Sequence, residues 1–152
     1  MRKIKILDIA PGLINGIEVH MPNDTETYRE TYFEWTPAGL AAMFNSKEIC
    51  GGVLKAWRHL PAFREAETHA DKEMFYFISG TAIMMFIDCK DGKPDITTAQ
   101  IVRIQPGTQI VISAGKGHFV AVAEGAEPVV AVVAAPKMDA PRVALSEAVE
   151  GI

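Results

Sequence analysis

The chain has 152 residues, 49% hydrophobic and 22% charged, enough for one domain with a substantial core and too short for a second full domain. Its formal net charge of -4 gives no basic footprint for nucleic acid or an anionic membrane surface, which leaves small molecules as the expected partners. Cys50 and Cys89 stand far apart and outside any Cys-x-x-Cys spacing, so neither a disulfide framework nor a thiolate zinc site is expected.

The opening segment, MRKIKILDIAPGL, is basic, but Lys5 and Asp8 interrupt what an export signal would need as an apolar stretch. No apolar run approaches the roughly 18 residues of a membrane span, and the expectation is a soluble cytoplasmic protein. A short helix is predicted over 36–45 (TPAGLAAMFN), where Thr36 can cap and Pro37 fits the first helical position.

From residue 51 onward strand signals dominate. GGVLKAWRHL, AFREAETH, EMFYFIS, TAIMMFID, TTAQIVRI, GTQIVIS, HFVAVA and PVVAVVAA are rich in β-branched or aromatic residues and separated by Gly, Pro, Asp or Lys turns. Strands at this spacing predict an antiparallel sandwich or barrel. A second short helix is predicted near ALSEAVEG, ended by Gly151. The segments 81–87 and 128–134 are apolar on both faces, whereas a sheet with one wet face alternates. Either they are central strands of a thick core, or their outer sides are covered by the N-terminal segment or by a homodimer partner. No repeat or linker divides the chain, so one domain is expected over 1–152, with a barrel core at about 50–135, N-terminal strands and a short helix before it, and a tail over 136–152.

ETHADKEMFYFISG places Glu67, His69 and Glu73 within seven residues. Side chains two apart on a strand share a face, so Glu67 and His69 project together with Glu65 and Phe63. A tight hairpin through Asp71 and Lys72 would return Glu73 beside His69. In PGTQIVISAGKGHFVAV, Gly107 begins a strand and His118 opens the next one, sharing a face with Val120 and Val122. Polar residues directed inward among valines are costly unless paired, hydrogen-bonded or holding an ion. Taken alone, a histidine on a strand such as His69 reads as a hydrogen-bonded structural residue, and EAETHADKE as a solvated charged hairpin.

Together the two stretches resemble the two cupin motifs. The first is H-x-H, three or four residues, Glu, six residues and Gly, with Glu67 in place of the first His and with His69, Glu73 and Gly80 matching. The second is Gly, five residues, P-x-G, two residues and His, met by Gly107, Ser113 for the Pro, Gly115 and His118. The resemblance covers about half the chain and implies an all-β, cupin-type antiparallel β-barrel (a double-stranded β-helix or jelly-roll) with one or two short helices and a metal-binding mouth. Within that superfamily the chain distantly resembles the ureidoglycolate lyases, through GKPDITT (92–98), the Glu-x-His opening, Gly107 to Gln109 and the arginine before a proline in WRHLP. It departs from them in keeping only His118 of a usual Trp-His-His-Pro cluster, and in having Glu73 where Gln is common.

That likeness implies nickel or another divalent ion, homodimerisation, and carbon–nitrogen cleavage of ureidoglycolate to glyoxylate and urea. Two imidazoles and two carboxylates suit nickel, manganese, iron or zinc better than calcium. With two carboxylates bound, chelation of a hydroxy acid is favoured over hydroxide generation. The candidate metal set is Glu67, His69, Glu73 and His118, with Glu73 either a fourth ligand or the proton carrier. Glu73 and His118 are the candidate catalytic residues.

Candidate substrate contacts are Arg58, Lys116 and Gln109. Arg58 shares parity with Leu54, Ala56 and Leu60 and could bind a carboxylate bidentately, or else pair with Glu65 or Glu67 at the rim. Lys116 either steers anions to the mouth or is a solvated turn lysine. His20 and His59 read as structural, and Trp57, Phe75 and Phe77 as core or pocket wall. The alternatives to a lyase are a cupin that binds a small anion without turnover, and a cupin isomerase or oxygenase; Glu67 removes the three-histidine set usual for oxygenation.

Overall fold

The computed structural model describes residues 1–37 and 39–152. In chain order the strands are β1 (Arg2–Ile4), β2 (Ile6–Asp8), β3 (Ile17–His20), β4 (Tyr28–Arg29), β5 (Glu34–Trp35), β6 (Cys50–Ala56), β7 (Ala62–Glu67) and β8 (Glu73–Ser79). They continue with β9 (Ala82–Lys90), β10 (Lys93–Ile104), β11 (Gln109–Ile112), β12 (Gly117–His118), β13 (Val122–Ala123), β14 (Val129–Ala135) and β15 (Arg142–Gly151). The helical structure among the described residues is a 3₁₀ turn at Asp24–Glu26. The all-β barrel expected from the sequence is therefore present.

One sheet runs β1-β15-β7-β12-β9-β10-β2, with β13 also on β9. Residues 2–8 nearly close it, because β1 lies parallel to β15 while β2, directly after it, lies parallel to β10. The second sheet, β3-β11-β8-β14-β6, packs against the first, and β4 and β5 form a separate ribbon.

β9 explains the doubly apolar reading. Its residues 82–87 are all buried. Ala82, Met84 and Phe86 join Phe75, Phe77, Ile110 and Ile112 in the core between the sheets. Ile83, Met85 and Ile87 join Phe63, Ile101 and Val149 inside the nearly closed sheet, where Ile4 and Ile6 of the N-terminal segment pack against them. β14 differs: Val129 and Ala131 are fully buried, but Val132 on its outer face is 48% exposed beside Val53, which is 71% exposed.

Neither predicted helix forms where expected. Ala38 lies outside the described residues; across the rest of 36–45 the chain is neither helix nor strand, with Leu40, Ala42 and Phe44 half-buried and their neighbours exposed. Side chains from the barrel take up its amides: Leu40 N–H donates to Gln109 Oε1 at 2.9 Å and Asn45 N–H to Asp71 Oδ2 at 2.7 Å. Tertiary hydrogen bonds and period-two burial thus override a favourable local helix signal. The other segment, 144–151, belongs to β15, a ten-residue strand paired antiparallel with β7. The edge of β7 needs a hydrogen-bonding partner, and that pairing outweighs the helix propensity of Ala, Leu and Glu.

Candidate metal centre

β7 belongs to one sheet and β8 to the other, so the turn 68–72 crosses the sandwich as a corner instead of closing a hairpin. Asp71 braces it. Its buried carboxylate accepts N–H bonds from Asn45 at 2.7 Å, Ser46 at 3.1 Å and Lys72 at 2.8 Å. Burial pushes the Asp71 carboxyl up, and these donors outweigh it, holding the group below its ordinary value.

His118 enters from β12, which lies between β7 and β9 and pairs His118 with Glu67 on one side and Phe86 on the other. Gly117 makes that close approach possible, since a Cβ there would stand 2.6 Å from Ile87 Cγ2 and 2.8 Å from Cys89 Sγ. The two motif turns are tied directly: Gly115, at φ 76°, donates its N–H to the His69 carbonyl at 2.9 Å. Glycine adopts this left-handed backbone without the steric penalty of other residues.

The structure brings the four predicted ligands together. The imidazole centroids of His69 and His118 are 5.1 Å apart. Glu73 Oε2 lies 3.1 Å from His118 Nε2 and 3.4 Å from His69 Nε2, and Glu67 Oε1 lies 3.8 Å from His118 Nε2. Burial raises the Glu73 carboxyl, but its contacts with His118 and His69 prevail and hold it at about 2. The neighbouring Glu73 carboxylate in turn raises the His69 imidazole above its ordinary value, against the opposing effect of burial.

These residues fit a divalent cation on three counts. One ligand atom from each of Glu67, His69 and His118 lies within 4.8 Å of the others. Ligand bonds of 2.0–2.2 Å place donors on one ion up to about 4.4 Å apart, so small side-chain rotations suffice. His69 Nε2 is buried and makes no full hydrogen bond, its nearest carboxylate oxygen, on Glu73, standing 3.4 Å away, which leaves it free to take a cation as its partner. Both Nδ1 atoms face backbone carbonyls, His69 that of Asp139 at 3.2 Å and His118 that of Lys116 at 3.3 Å, which is how metal-binding histidines are commonly oriented.

The cluster opens into a cavity of about 370 Å³, where Glu67, His69 and Glu73 meet Cys50, Lys137 and Met138. The substrate contacts expected from the sequence lie elsewhere. Arg58, past the end of β6, lines another cavity. Lys116 is buried with its Nζ 2.5 Å from Asp88 Oδ1. Gln109 holds Leu40 and Met74 on the outer side of the second sheet.

Lys137 is exposed at the cavity, and Arg142 stands beside Glu67 of its lining. Arg142 lies opposite Glu67 in the β15–β7 register. Its guanidinium is 3.2 Å from Glu65 Oε1, 3.8 Å from Glu67 Oε2 and 5.1 Å above the Phe119 ring. It thus makes the rim pairing assigned to Arg58. Continuing the strand pattern of Val143 and Leu145 through the tail would have revealed it.

Fold and site together define an all-β barrel protein whose interior His/Glu cluster suits a divalent cation. No family model matches the chain, and no curated protein matches it. Among solved structures it is similar to oxalate decarboxylase from Bacillus subtilis. A tryptophan-to-tyrosine variant of that enzyme aligns at 27% identity over 66% of this chain and 24% of its own, with a TM-score of 0.46. A second structure, concerned with the enzyme's Mn(II) centres, aligns at 23% identity over 89% and 29%, with a TM-score of 0.47. The chain spans less than a third of the length of either. No helix among the described residues is long and apolar enough to cross a membrane.

Proposed function

We propose that this chain is a metal-dependent cupin enzyme of the ureidoglycolate lyase kind, which cleaves ureidoglycolate to glyoxylate and urea. The observation that carries the reading is the convergence of both cupin-like stretches, the imidazoles of His69 and His118 standing 5.1 Å apart between Glu67 and Glu73. His69, His118 and Glu67 would hold the ion, nickel by the family likeness or else manganese, iron or zinc. A divalent ion supplies Lewis-acid polarisation of a chelating carboxylate and hydroxyl.

Glu73, ionised by its two imidazole neighbours, accepts the proton of the substrate hydroxyl. The carbon–oxygen bond becomes a carbonyl as the carbon–nitrogen bond breaks, and the same proton passes to the departing urea nitrogen. Lys137 and Arg142 provide positive charge for the anionic substrate, and the cavity of about 370 Å³ limits it to a small acid. The reading predicts urea release from ureidoglycolate that chelator abolishes and metal restores. Full activity in both His69→Ala and His118→Ala would overturn it.

A second reading, a small-anion binder without turnover, is favoured by Glu73 already contacting both imidazoles. Saturable binding of ureidoglycolate without urea release selects it. We also propose a cytoplasmic homodimer formed through the outer face of β14, where Val132 and Val53 are exposed. Sedimentation of a monomer at micromolar concentration would refute the dimer.

A further inference from the structure

A further cavity lies away from the His/Glu cluster. It has a volume of about 550 Å³ and is lined by Ile6, Leu60, Pro61, Ile83 and Val122, with Arg58 and Glu124 among its polar groups. Pro61 immediately precedes β7, and Glu67 ends that strand. Six residues of extended chain place the two cavities about 20 Å apart, and their linings share no residue.

Ile83 and Val122, paired across β9 and β13, belong to the apolar cluster inside the nearly closed sheet, with Ile6 packed against it, and they give this cavity an apolar floor. Leu60, 60% exposed, extends the apolar surface to its mouth. The charges are unequal. Glu124 is consumed by Arg103, whose Nε donates to it at 2.8 Å and whose Nη2 donates at 2.6 Å. Arg58 is exposed and, among the described residues, has no carboxylate partner. A roomy apolar pocket with one uncompensated guanidinium suits a ligand with a hydrocarbon body and an anionic head, because Arg binds carboxylates bidentately.

We infer that this cavity is a second binding site, independent of the His/Glu cluster, for a medium-chain aliphatic carboxylate whose chain lies over the paired Ile83 and Val122 and whose head group meets Arg58. Aliphatic length is read by the apolar floor and charge by the rim. Each methylene added between butanoate and octanoate tightens binding about fourfold, as expected for burial of one CH₂.

The test is calorimetric titration of the full chain with octanoate and with 1-octanol, in chelator, for wild type, Arg58→Gln and His118→Ala. Octanoate binds wild type at least tenfold more tightly than octanol, Arg58→Gln removes that preference, and His118→Ala leaves it intact. Arg58 is exposed, so its replacement is not expected to unfold the barrel, and a thermal melt checks this. Absence of saturable octanoate binding, equal affinity for the alcohol, an unchanged preference in Arg58→Gln, or its loss in His118→Ala each overturns the inference. The last outcome places the ligand in the metal cavity.

Discussion

Glu73→Gln keeps the shape of the side chain and removes the charge that the two imidazoles share. In the metal-free protein the Glu73 carboxyl titrates at about 2, against an ordinary 4.5, and its side chain is 15% exposed, so solvent screens the contact little. Each tenfold change in proton affinity is worth about 1.4 kcal/mol, which makes the ionised carboxylate worth on the order of 3 kcal/mol. The sign follows from the direction. A lowered carboxyl stabilises the fold above 4.5, and that contribution fades as pH falls toward about 2.

His69, raised above its ordinary 6.5, adds stability that is complete below 6.5 and fades as pH climbs through the higher folded value. The metal-free cluster is therefore most stabilising between about pH 4.5 and 6.5. Urea unfolding in chelator at half-unit pH steps measures this as the difference between wild type and Glu73→Gln. The difference is expected to be near zero around pH 2, to approach about 3 kcal/mol by pH 5, and to shrink again above 6.5. A difference that stays constant from pH 3 to 8 would refute the ion-pair account of the cluster.

Asp71→Ala strips an acceptor from the amides of Asn45, Ser46 and Lys72 and should cost about 2–3 kcal/mol in urea unfolding; wild-type stability would show that water replaces the carboxylate fully. Gly117→Ala forces a methyl against Ile87 and Cys89, shifts β12, and should weaken divalent-ion binding at least tenfold by calorimetry, with unchanged affinity contradicting the placement of His118. Arg142→Ala leaves two carboxylates near the cavity without their cation, and should raise KM for an anionic substrate about tenfold while metal affinity changes less than threefold. An equal fall in both would make Arg142 a scaffold for Glu67 and nothing more.

The cluster was legible because two stretches of fixed motif spacing carry Glu67, His69, Glu73 and His118; the tight hairpin that parity suggested for Glu73 is replaced by a corner between the two sheets. The apolar double face of β9 was legible too, and its cover by Ile4 and Ile6 was among the alternatives that the pattern left open. Residues whose role depends on distant partners were not. Arg58 was placed either inward, on a parity that stops with β6 at Ala56, or at the rim beside Glu65 and Glu67, which Arg142 occupies instead. Lys116 looked like a wet turn residue, yet its stem lies along Gly16 and its ammonium reaches Asp88. Arg142 stayed hidden because Ala, Leu and Glu in the tail favour a helix when taken alone, and the edge of β7 that overrules them lies some eighty positions away.

The pairing of the first strand with the last also sets the order of events during synthesis. Ile83, Met85 and Ile87 leave the ribosome long before β15 exists to wall them in. A nascent chain must therefore hold a greasy half-built trough until β15 emerges and zips to β1, made well before it. Such late closure between distant segments is intrinsically slow, so refolding yield should fall sharply with protein concentration, and holding chaperones should help most before β15 is released.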